Sequence, residues 1–422
     1  MNYTFKKVWI VLAILTINIS LSLPVFSQEL TLQSLINEAL QNNPEIKAAE
    51  AKISAAQYRV PQAKSLPDPM IELGYQSEGY SPNLDMPGSK GMFNLGQTIL
   101  YPGKRKLKGE VASKEVEVLN AKLETVQLKT VSRVKELYYN LFLAYKMLDI
   151  IQDNVDLFNK IEKAAISRYT TGLGEQQDVL MAQTEKYNLL AQEEKIKQGI
   201  QSTEARLNAI LGRENNLSYE KPIELLQTMI LYNPDELISI AYKNSPWLLV
   251  SEKSIEQNEI KVKLAKKDYY PDFTIKGGTG FRGNGLSDMW NLSTQVAIPI
   301  FYKDKQRNAV KEAEAQVQES EYNFKNVQYD LASSIRDNHS VINAADRLMK
   351  IYKNGLISKT NQDFQLALTG YITGKNDALT TISRLKALLD YKTFYWEQFV
   401  AREKAIAHIE SLTAVNLGAG QK

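Results

Sequence analysis

The chain has 422 residues, no cysteine, and 51 Lys and Arg against 48 Asp and Glu, which gives a formal net charge of +3. This balance offers no argument for nucleic acid as a partner. The lack of cysteine excludes disulfides, thiolate metal sites and a lipid-anchoring cysteine. By length alone, two or three domains are expected.

Residues 1–27 have the pattern of a secretory signal peptide. Lys6 and Lys7 precede an apolar run that starts at Val8, and smallish residues stand at positions 25 and 27. A permanent membrane anchor is the alternative, but Thr16 and Asn18 interrupt the run. We therefore expect cleavage after residue 27 and export. No later segment has 18 consecutive apolar residues, so no transmembrane helix is predicted.

The rest of the sequence contains an internal duplication. With a shift of 202 positions, seven residues meet identical residues at 237, 238, 241, 244, 246, 252 and 255: Leu35, Ile36, Ala39, Asn42, Pro44, Glu50 and Ile53. A repeat of this kind predicts two copies of one structural unit. We expect a first repeat at 28–212, a linker at 213–232, a second repeat at 233–414 and a tail at 415–422.

Each repeat is predicted to begin with a helix, which in the first repeat runs from about Thr31 to Ala63 and bends near Pro44 and Pro61. Each repeat ends in a proline-free run, 103–211 in the first and 300–422 in the second. In the first run, apolar residues recur at steps of three and four, which predicts a coiled-coil helix. From Lys104 to Arg168 it would span roughly 100 Å.

Glycines stand at corresponding places in the two runs, Gly172 and Gly174 in the first and Gly370 and Gly374 in the second. They predict tight turns with a positive φ, from which a second helix returns. A second apolar stripe accompanies the first along the long helix: Val118, Val131, Tyr138, Phe142 and Tyr145. It could contact a neighbouring helix of another chain or form an ordinary buried face.

Between the helices, each repeat contains two segments with period-two alternation. The apolar positions are Ile71, Leu73, Tyr75, Phe93 and Leu95 in the first repeat, and Trp290, Leu292, Val296 and Ile298 in the second. This pattern is typical of membrane strands with one face in lipid and one in water. Soluble hairpins packed on helices fit it equally well.

Four strands per chain cannot close a barrel, and open sheet edges are too costly in lipid. If the strands lie in a membrane, several chains must therefore share one barrel. Three chains would supply twelve strands, with an interior wide enough for a passage. The same symmetry would place twelve helical segments in a ring.

Taken together, these features resemble the outer-membrane efflux protein family typified by TolC, over essentially the whole mature chain. The most specific matches are Arg168-Tyr169-Thr170-Thr171-Gly172 with Asp178-Val179-Leu180, and Tyr371-Ile372-Thr373-Gly374. Pro67-Asp68-Pro69 and Gly103-Lys104-Arg105 resemble the metal-efflux branch of the CzcC/CusC type.

The resemblance implies a mainly α fold with a small β part, in which long antiparallel coiled-coil helices form an α-barrel below a shared transmembrane β-barrel. It implies a homotrimer in outer-membrane lipid, with a periplasmic tunnel that docks onto an adaptor (membrane fusion) protein and an inner-membrane RND-type pump. Neither cofactor nor catalytic residue is expected, because the pump supplies the energy.

The resemblance also implies a periplasmic aperture beside the glycine turns. By position, the family's aspartate falls on Asp178 and its tyrosine on Tyr371. The arginine position holds Asn376, and two aspartates of the lumen fall on Thr380 and Ser383. The expected aperture therefore lacks much of the family's charge.

The leading hypothesis is a passive exit duct of a tripartite efflux system, for heavy-metal cations. The alternatives are a duct for drugs or general small molecules, and a structural coiled-coil protein of the periplasm. An enzyme is the third class and has the least support, because the carboxylates are spread along helices as solvated faces and no phosphate loop is present.

Overall fold

One order of elements occurs twice in the computed structural model, which describes residues 31–77, 88–214, 217–223, 226–283 and 285–417. The first half contains α1 (Leu32–Asn42), α2 (Pro44–Lys64), β1 (Met70–Gln76), β2 (Lys90–Ile99), α3 (Lys104–Thr170) and α4 (Gln176–Leu211). The second half contains α5 (Pro234–Asn244), α6 (Pro246–Lys267), β3 (Asp272–Arg282), β4 (Met289–Ala297), α7 (Gln306–Ile351), α8 (Ile357–Ile372) and α9 (Ala378–Thr413). The predicted signal peptide lies outside the described residues.

The shift of 202 that relates the two halves of the sequence also relates their helices. It carries α1 onto α5, the start of α3 onto the start of α7, and α4 onto α9 without a change in length. It also carries the end of α3 at Thr170 onto the end of α8 at Ile372. The strands follow the shift less closely, since β3 is longer than β1 and β4 starts 199 residues after β2.

The predicted first helix is two helices. Asn43 is not helical, with ψ 125°, and its side-chain oxygen accepts hydrogen bonds from the backbone N–H groups of Glu45 and Ile46. It therefore caps α2 while Pro44 supplies the first residue of that helix, where no N–H is needed. Pro61 lies inside α2 near its end, and the helix continues to Lys64.

The two long helices differ in one respect. Helix α3 is α-helical throughout its 67 residues, roughly 100 Å. Its counterpart is interrupted by a π-helical turn at Tyr352–Leu356, which separates α7 from α8. The Tyr352 ring lies against Tyr391 and Phe394 of α9, with centroids 6.3 and 6.0 Å apart.

The hydrophobic core follows the helices as separate clusters. One cluster lies midway along α3, around Tyr138, Phe142 and Leu207, and another lies towards the glycine turns, around Phe158 and Phe364. Three residues of the predicted second stripe, Val118, Tyr138 and Phe142, are at most 7% exposed. Val131 and Tyr145 are half-buried and pack on the same cluster, so most of that stripe is a buried face within the chain.

The four strands form one antiparallel sheet in the order β1-β2-β3-β4. At its centre β2 and β3 come very close, because a Cβ on Gly278 would lie 2.1 Å from Asn94 Oδ1 and 2.2 Å from the Phe93 carbonyl oxygen. Gly280, on the same face of β3, has room, since its Cβ would lie 3.7 Å from the nearest atom, on Lys90.

We predict that Gly278→Ala destabilises the sheet by about 1–3 kcal/mol or more, because overpacking forces the two backbones apart. Gly280→Ala is the matched control and should change stability by less than about 1 kcal/mol. Thermal unfolding of the purified protein, followed by circular dichroism, measures both. Equal unfolding temperatures for the two variants would contradict the close approach.

The segment between the repeats is tied to the helices by buried polar contacts. The Glu403 carboxylate, 2% exposed, accepts hydrogen bonds from the Thr228 hydroxyl at 2.6 Å and the Thr228 backbone N–H at 3.2 Å. It also pairs with Arg402 at 2.7 Å, and Arg402 reaches Asp346 at 2.7 Å. Burial raises the pKa of Glu403, and these contacts oppose that rise.

Glu403→Ala should destabilise the helical part by about 3–5 kcal/mol, because it leaves Arg402 buried without one of its two carboxylates. Asp235→Ala breaks an exposed pair with Arg336 and should cost about 1 kcal/mol or less. Thermal unfolding followed by circular dichroism at 222 nm compares them. A small effect of both variants would show that the buried contacts do not hold the linker.

Candidate functional site

The strand register brings the predicted lipid-facing residues onto one face of the sheet. Ile71 and Leu73 stand opposite Leu95 and Phe93, and β3 continues the face with Gly277 and Thr279 opposite Leu292 and Trp290. Tyr75 and Val296 share the face by parity, and Ile298 lies one residue beyond β4. All nine predicted residues are between 41% and 81% exposed. The chain thus presents an apolar sheet face that it does not cover itself.

The opposite face of the sheet is polar. Glu72 and Lys276 form an ion pair at 3.0 Å across the sheet, and the hydroxyls of Thr98 and Thr274 are 3.0 Å apart. On β4 this face carries Asn291, Ser293 and Gln295. A sheet with one apolar and one polar face suits a boundary between lipid and water.

The sheet is open at both edges, since β1 and β4 each pair on one side only within the described chain. The helices form a layer of the same width. Near the sheet their order is α2-α3-α6-α7, and near the glycine turns it is α4-α3-α9-α8. Exposed apolar residues seven apart mark two helix edges, Tyr322 and Tyr329 on α7 and Leu180 and Tyr187 on α4. Both layers therefore end in unpartnered edges on the same two sides.

Each glycine turn closes by the same pair of backbone hydrogen bonds. The N–H groups of Gly172 and Leu173 donate to the carbonyls of Tyr169 and Arg168, and the second turn repeats this 202 residues later. Gly172 and Gly374 have φ of 73° and 81°, as predicted from the sequence. A β-carbon is strained there.

Gly174 and Gly370 do not have the predicted positive φ, and their role is to allow close packing. A Cβ on Gly174 would lie 2.9 Å from the Cβ of Arg168. A Cβ on Gly370 would lie 2.4 Å from the amide nitrogen of Asn376. The expectation of a left-handed conformation at these two positions was wrong. In each turn a single glycine with positive φ, Gly172 or Gly374, is sufficient to reverse the direction of the chain.

Three side chains join the two turns. Arg168 donates to the Tyr371 carbonyl oxygen and, at 2.9 Å, to the Leu173 carbonyl oxygen, and its guanidinium carbon lies 5.0 Å from the centre of the Tyr371 ring. The Tyr371 hydroxyl donates to Asp178 Oδ2 at 3.1 Å. We call Arg168, Tyr371 and Asp178 the tip clasp.

Tyr371 is fully buried, and burial together with the Asp178 carboxylate raises the pKa of its hydroxyl to about 12. The hydroxyl therefore stays a donor at any physiological pH. The sequence pairs Asp178 with Tyr371 only through the family resemblance, and it gives no sign that Arg168 reaches from the first turn into the second.

The other predicted aperture residues lie on the second turn and the start of α9. The Asn376 amide packs over Gly370 and donates to the Ala367 carbonyl oxygen at 3.4 Å. Hydrogen bonds from the Thr380 side chain and then from the Thr380 backbone N–H lower the pKa of the Asp377 carboxyl. The backbone N–H donates to Asp377 at 2.6 Å, so that Asp377 caps α9. Ser383 is exposed one turn further along α9. No ion pair is formed by these residues within the described chain.

Comparison with known proteins decides the family. The profile described as outer membrane efflux protein matches residues 35–213 and 237–383, most of both repeats. The chain belongs to the outer membrane efflux protein family. As a member, it is an efflux protein of the outer membrane, and the combination of a mainly helical fold with a small sheet is confirmed.

Individual relatives of the efflux protein are distant but extend along most of it. It is 21% identical to the cobalt-zinc-cadmium resistance protein CzcC of Cupriavidus metallidurans, over 88% of each chain. It is also 21% identical to the outer membrane protein TolC of Vibrio cholerae, over 88% of this chain and 87% of that protein. The fold is that of the crystal structure of VceC from Vibrio cholerae, with TM-score 0.76, 18% identity and coverage of 93% and 98%.

Within the described residues of the efflux protein, no helix has the length and hydropathy needed to cross a membrane. No group of three or more His, Asp or Glu side chains there is arranged to hold a metal ion.

Proposed function

We propose that three copies of this chain form the exit duct of a tripartite efflux system. The supporting observation is that the sheet and the helix layer are each four elements wide and end in unpartnered edges on the same two sides. A ring of copies removes every edge, and the apolar face then lies in lipid while the polar face lines the passage.

The tunnel end is proposed to dock onto a periplasmic adaptor protein, which links it to an inner-membrane RND-type pump. Both turns expose apolar side chains beside the tip clasp, with Leu173 at 73% and Ile372 at 58% exposed. Such side chains at the end of a roughly 100 Å helix suit a docking surface for an apolar patch on the adaptor protein. The clasp is proposed to hold the aperture closed without the arginine and the two lumen aspartates, whose positions are occupied by Asn376, Thr380 and Ser383.

Heavy-metal cations are the proposed cargo, because the similarity to CzcC agrees with the motifs Pro67-Asp68-Pro69 and Gly103-Lys104-Arg105. A duct need not bind its cargo tightly, so the residues that line the passage need not be specific for one cargo.

Deletion of the gene tests both levels of this proposal. The expected result is increased sensitivity to zinc, cobalt, cadmium, copper or silver, restored by the wild-type gene. Increased sensitivity to detergents and drugs alone would contradict heavy-metal cations as the cargo but would still agree with an exit duct. Mature protein recovered as a soluble periplasmic monomer would overturn the duct.

A further inference from the structure

Positive charge is concentrated where the sheet meets the helices. The four junction segments, 64–68, 102–108, 266–272 and 302–308, hold ten Lys or Arg and four Asp. We call this set of segments the junction belt. Its net charge of +6 exceeds the formal +3 of the entire chain, so the remainder of the chain is negative on balance.

A cavity of about 550 Å³ lies in the belt between the end of α2 and the start of α3. Its polar lining includes Lys64, Arg105 and Lys106 and no carboxylate. Arg105 Nε donates to the Lys64 carbonyl oxygen at 3.0 Å, which fixes the guanidinium beside the cavity. Among the described residues, Lys106 forms one ion pair, a long and exposed contact of 3.7 Å with Glu110. Three basic residues and no acidic one therefore line this opening.

The other wall of this cavity is apolar and continues the lipid-facing side of the sheet. Ile99 and Leu100 line it, and Ile99 shares its sheet face with Leu95 and Phe93. Tyr101 lines it too and stacks on Tyr270, with ring centroids 4.4 Å apart. The cavity thus joins a basic rim to an apolar surface.

The second repeat has a corresponding cavity of about 590 Å³ between β4 and the start of α7. Ile298 and Phe301 line it together with Lys305. The Oε1 atom of Gln306 is buried there and accepts no hydrogen bond from the described residues. Lys104 also lines this cavity, but Asp272 at 3.0 Å and Asp268 at 3.4 Å neutralise it. The first cavity is therefore the stronger site for an anion.

We propose that the first cavity binds the headgroup of an anionic phospholipid, whose acyl chains lie along the face of the sheet that carries Ile99. The assignment rests on the proposed function, because it requires the sheet to be in the membrane. The helices leave the sheet on the periplasmic side, so the lipid belongs to the periplasmic leaflet. The bound lipid would fix the depth of the channel in the membrane and orient the helices that continue from it.

Native mass spectrometry of the mature protein in non-ionic detergent tests the site with phosphatidylglycerol, phosphatidylcholine and glycerol 3-phosphate as probes. The test variant is Lys64→Gln/Arg105→Gln/Lys106→Gln, and the control is Lys47→Gln/Lys52→Gln/Lys129→Gln. Lys47 is 17 residues from Lys64 along α2, roughly 25 Å away. Each cation beside an anionic headgroup contributes about fivefold to binding.

The expected result is that the wild-type protein binds phosphatidylglycerol at least about tenfold more tightly than phosphatidylcholine, that the test variant loses this preference and that the control keeps it. Equal binding of both lipids, or an unchanged test variant, would overturn the site. If glycerol 3-phosphate displaces phosphatidylglycerol when both are present at the same concentration, the proposal of a lipid ligand is contradicted and a soluble phosphate ligand is indicated. The same spectra report the number of chains, so a failed site in an intact trimer is distinguished from a failed trimer.

Discussion

Leu292→Arg is expected to prevent assembly of the channel in the outer membrane. Leu292 is near the middle of β4, on the apolar face, and is 69% exposed in the single chain. An arginine facing lipid at the midplane of a β-barrel costs about 2–4 kcal/mol, and a trimer would carry three of them. The total of roughly 6–12 kcal/mol is comparable to the whole stability of a protein domain.

The neighbouring substitution Ser293→Arg is the matched control, because adjacent residues of a strand point to opposite faces. On the polar face the same charge lies in water and should cost about 1 kcal/mol or less. Outer-membrane fractionation and the amount of heat-dissociable oligomer measure both variants. Equal assembly of the two variants would contradict a lipid-facing side of the sheet. A worse defect in Ser293→Arg would show that the two faces are assigned the wrong way round.

Breaking the tip clasp is expected to open the aperture. Tyr371→Phe removes only the hydroxyl that donates to Asp178 and leaves the ring under Arg168. A hydrogen bond to a charged group contributes about 1.5–3 kcal/mol, so the closed state should lose roughly 10- to 150-fold in population per chain. Arg168→Ala should have a larger effect, because it removes two hydrogen bonds, those that Arg168 donates to the Leu173 and Tyr371 carbonyl oxygens.

Single-channel recording in planar bilayers measures the open probability. Tyr169→Phe is the control, since Tyr169 occupies the equivalent place in the first turn and its side chain is exposed. Because the pKa of Tyr371 is raised to about 12, its donor form persists throughout neutral pH, and the wild-type open probability should not change between about pH 6 and 9. Unchanged gating in both Tyr371→Phe and Arg168→Ala would contradict a role of the clasp in closure.

Much of the fold could be predicted because each signal is periodic and local. The shift of 202 relates the helices of the two halves, and the alternation around Leu73 and Leu292 assigns the two faces of the sheet, whose register brings them together. Periodicity alone could not tell which partner covers a helical stripe. The stripe through Tyr138 and Phe142 looks like a contact between chains, but the hairpin folds over it within one chain.

Other features depend on single contacts that leave no pattern in the sequence. Asn43 divides the first helix because its side chain caps the next one, and the same residue type elsewhere need not do so. Gly370 is needed because the Asn376 side chain packs directly against it, and not because the backbone there has a positive φ. Arg168 joins the two turns over 203 residues of sequence, so no local reading could pair it with Tyr371.

The central claim is that three chains share one barrel, and inter-chain disulfides test it most directly because the chain has no cysteine of its own. A cysteine at Ser293 in β4 is combined in turn with one at Glu72, Gly74 or Gln76, which lie on the same polar face of β1. Within one chain β2 and β3 separate these strands by roughly 14 Å, beyond the reach of a disulfide. At one of the three positions, oxidation should therefore give cross-linked dimers and trimers and nothing larger. Monomers at all three positions, or ladders beyond three chains, would contradict the account.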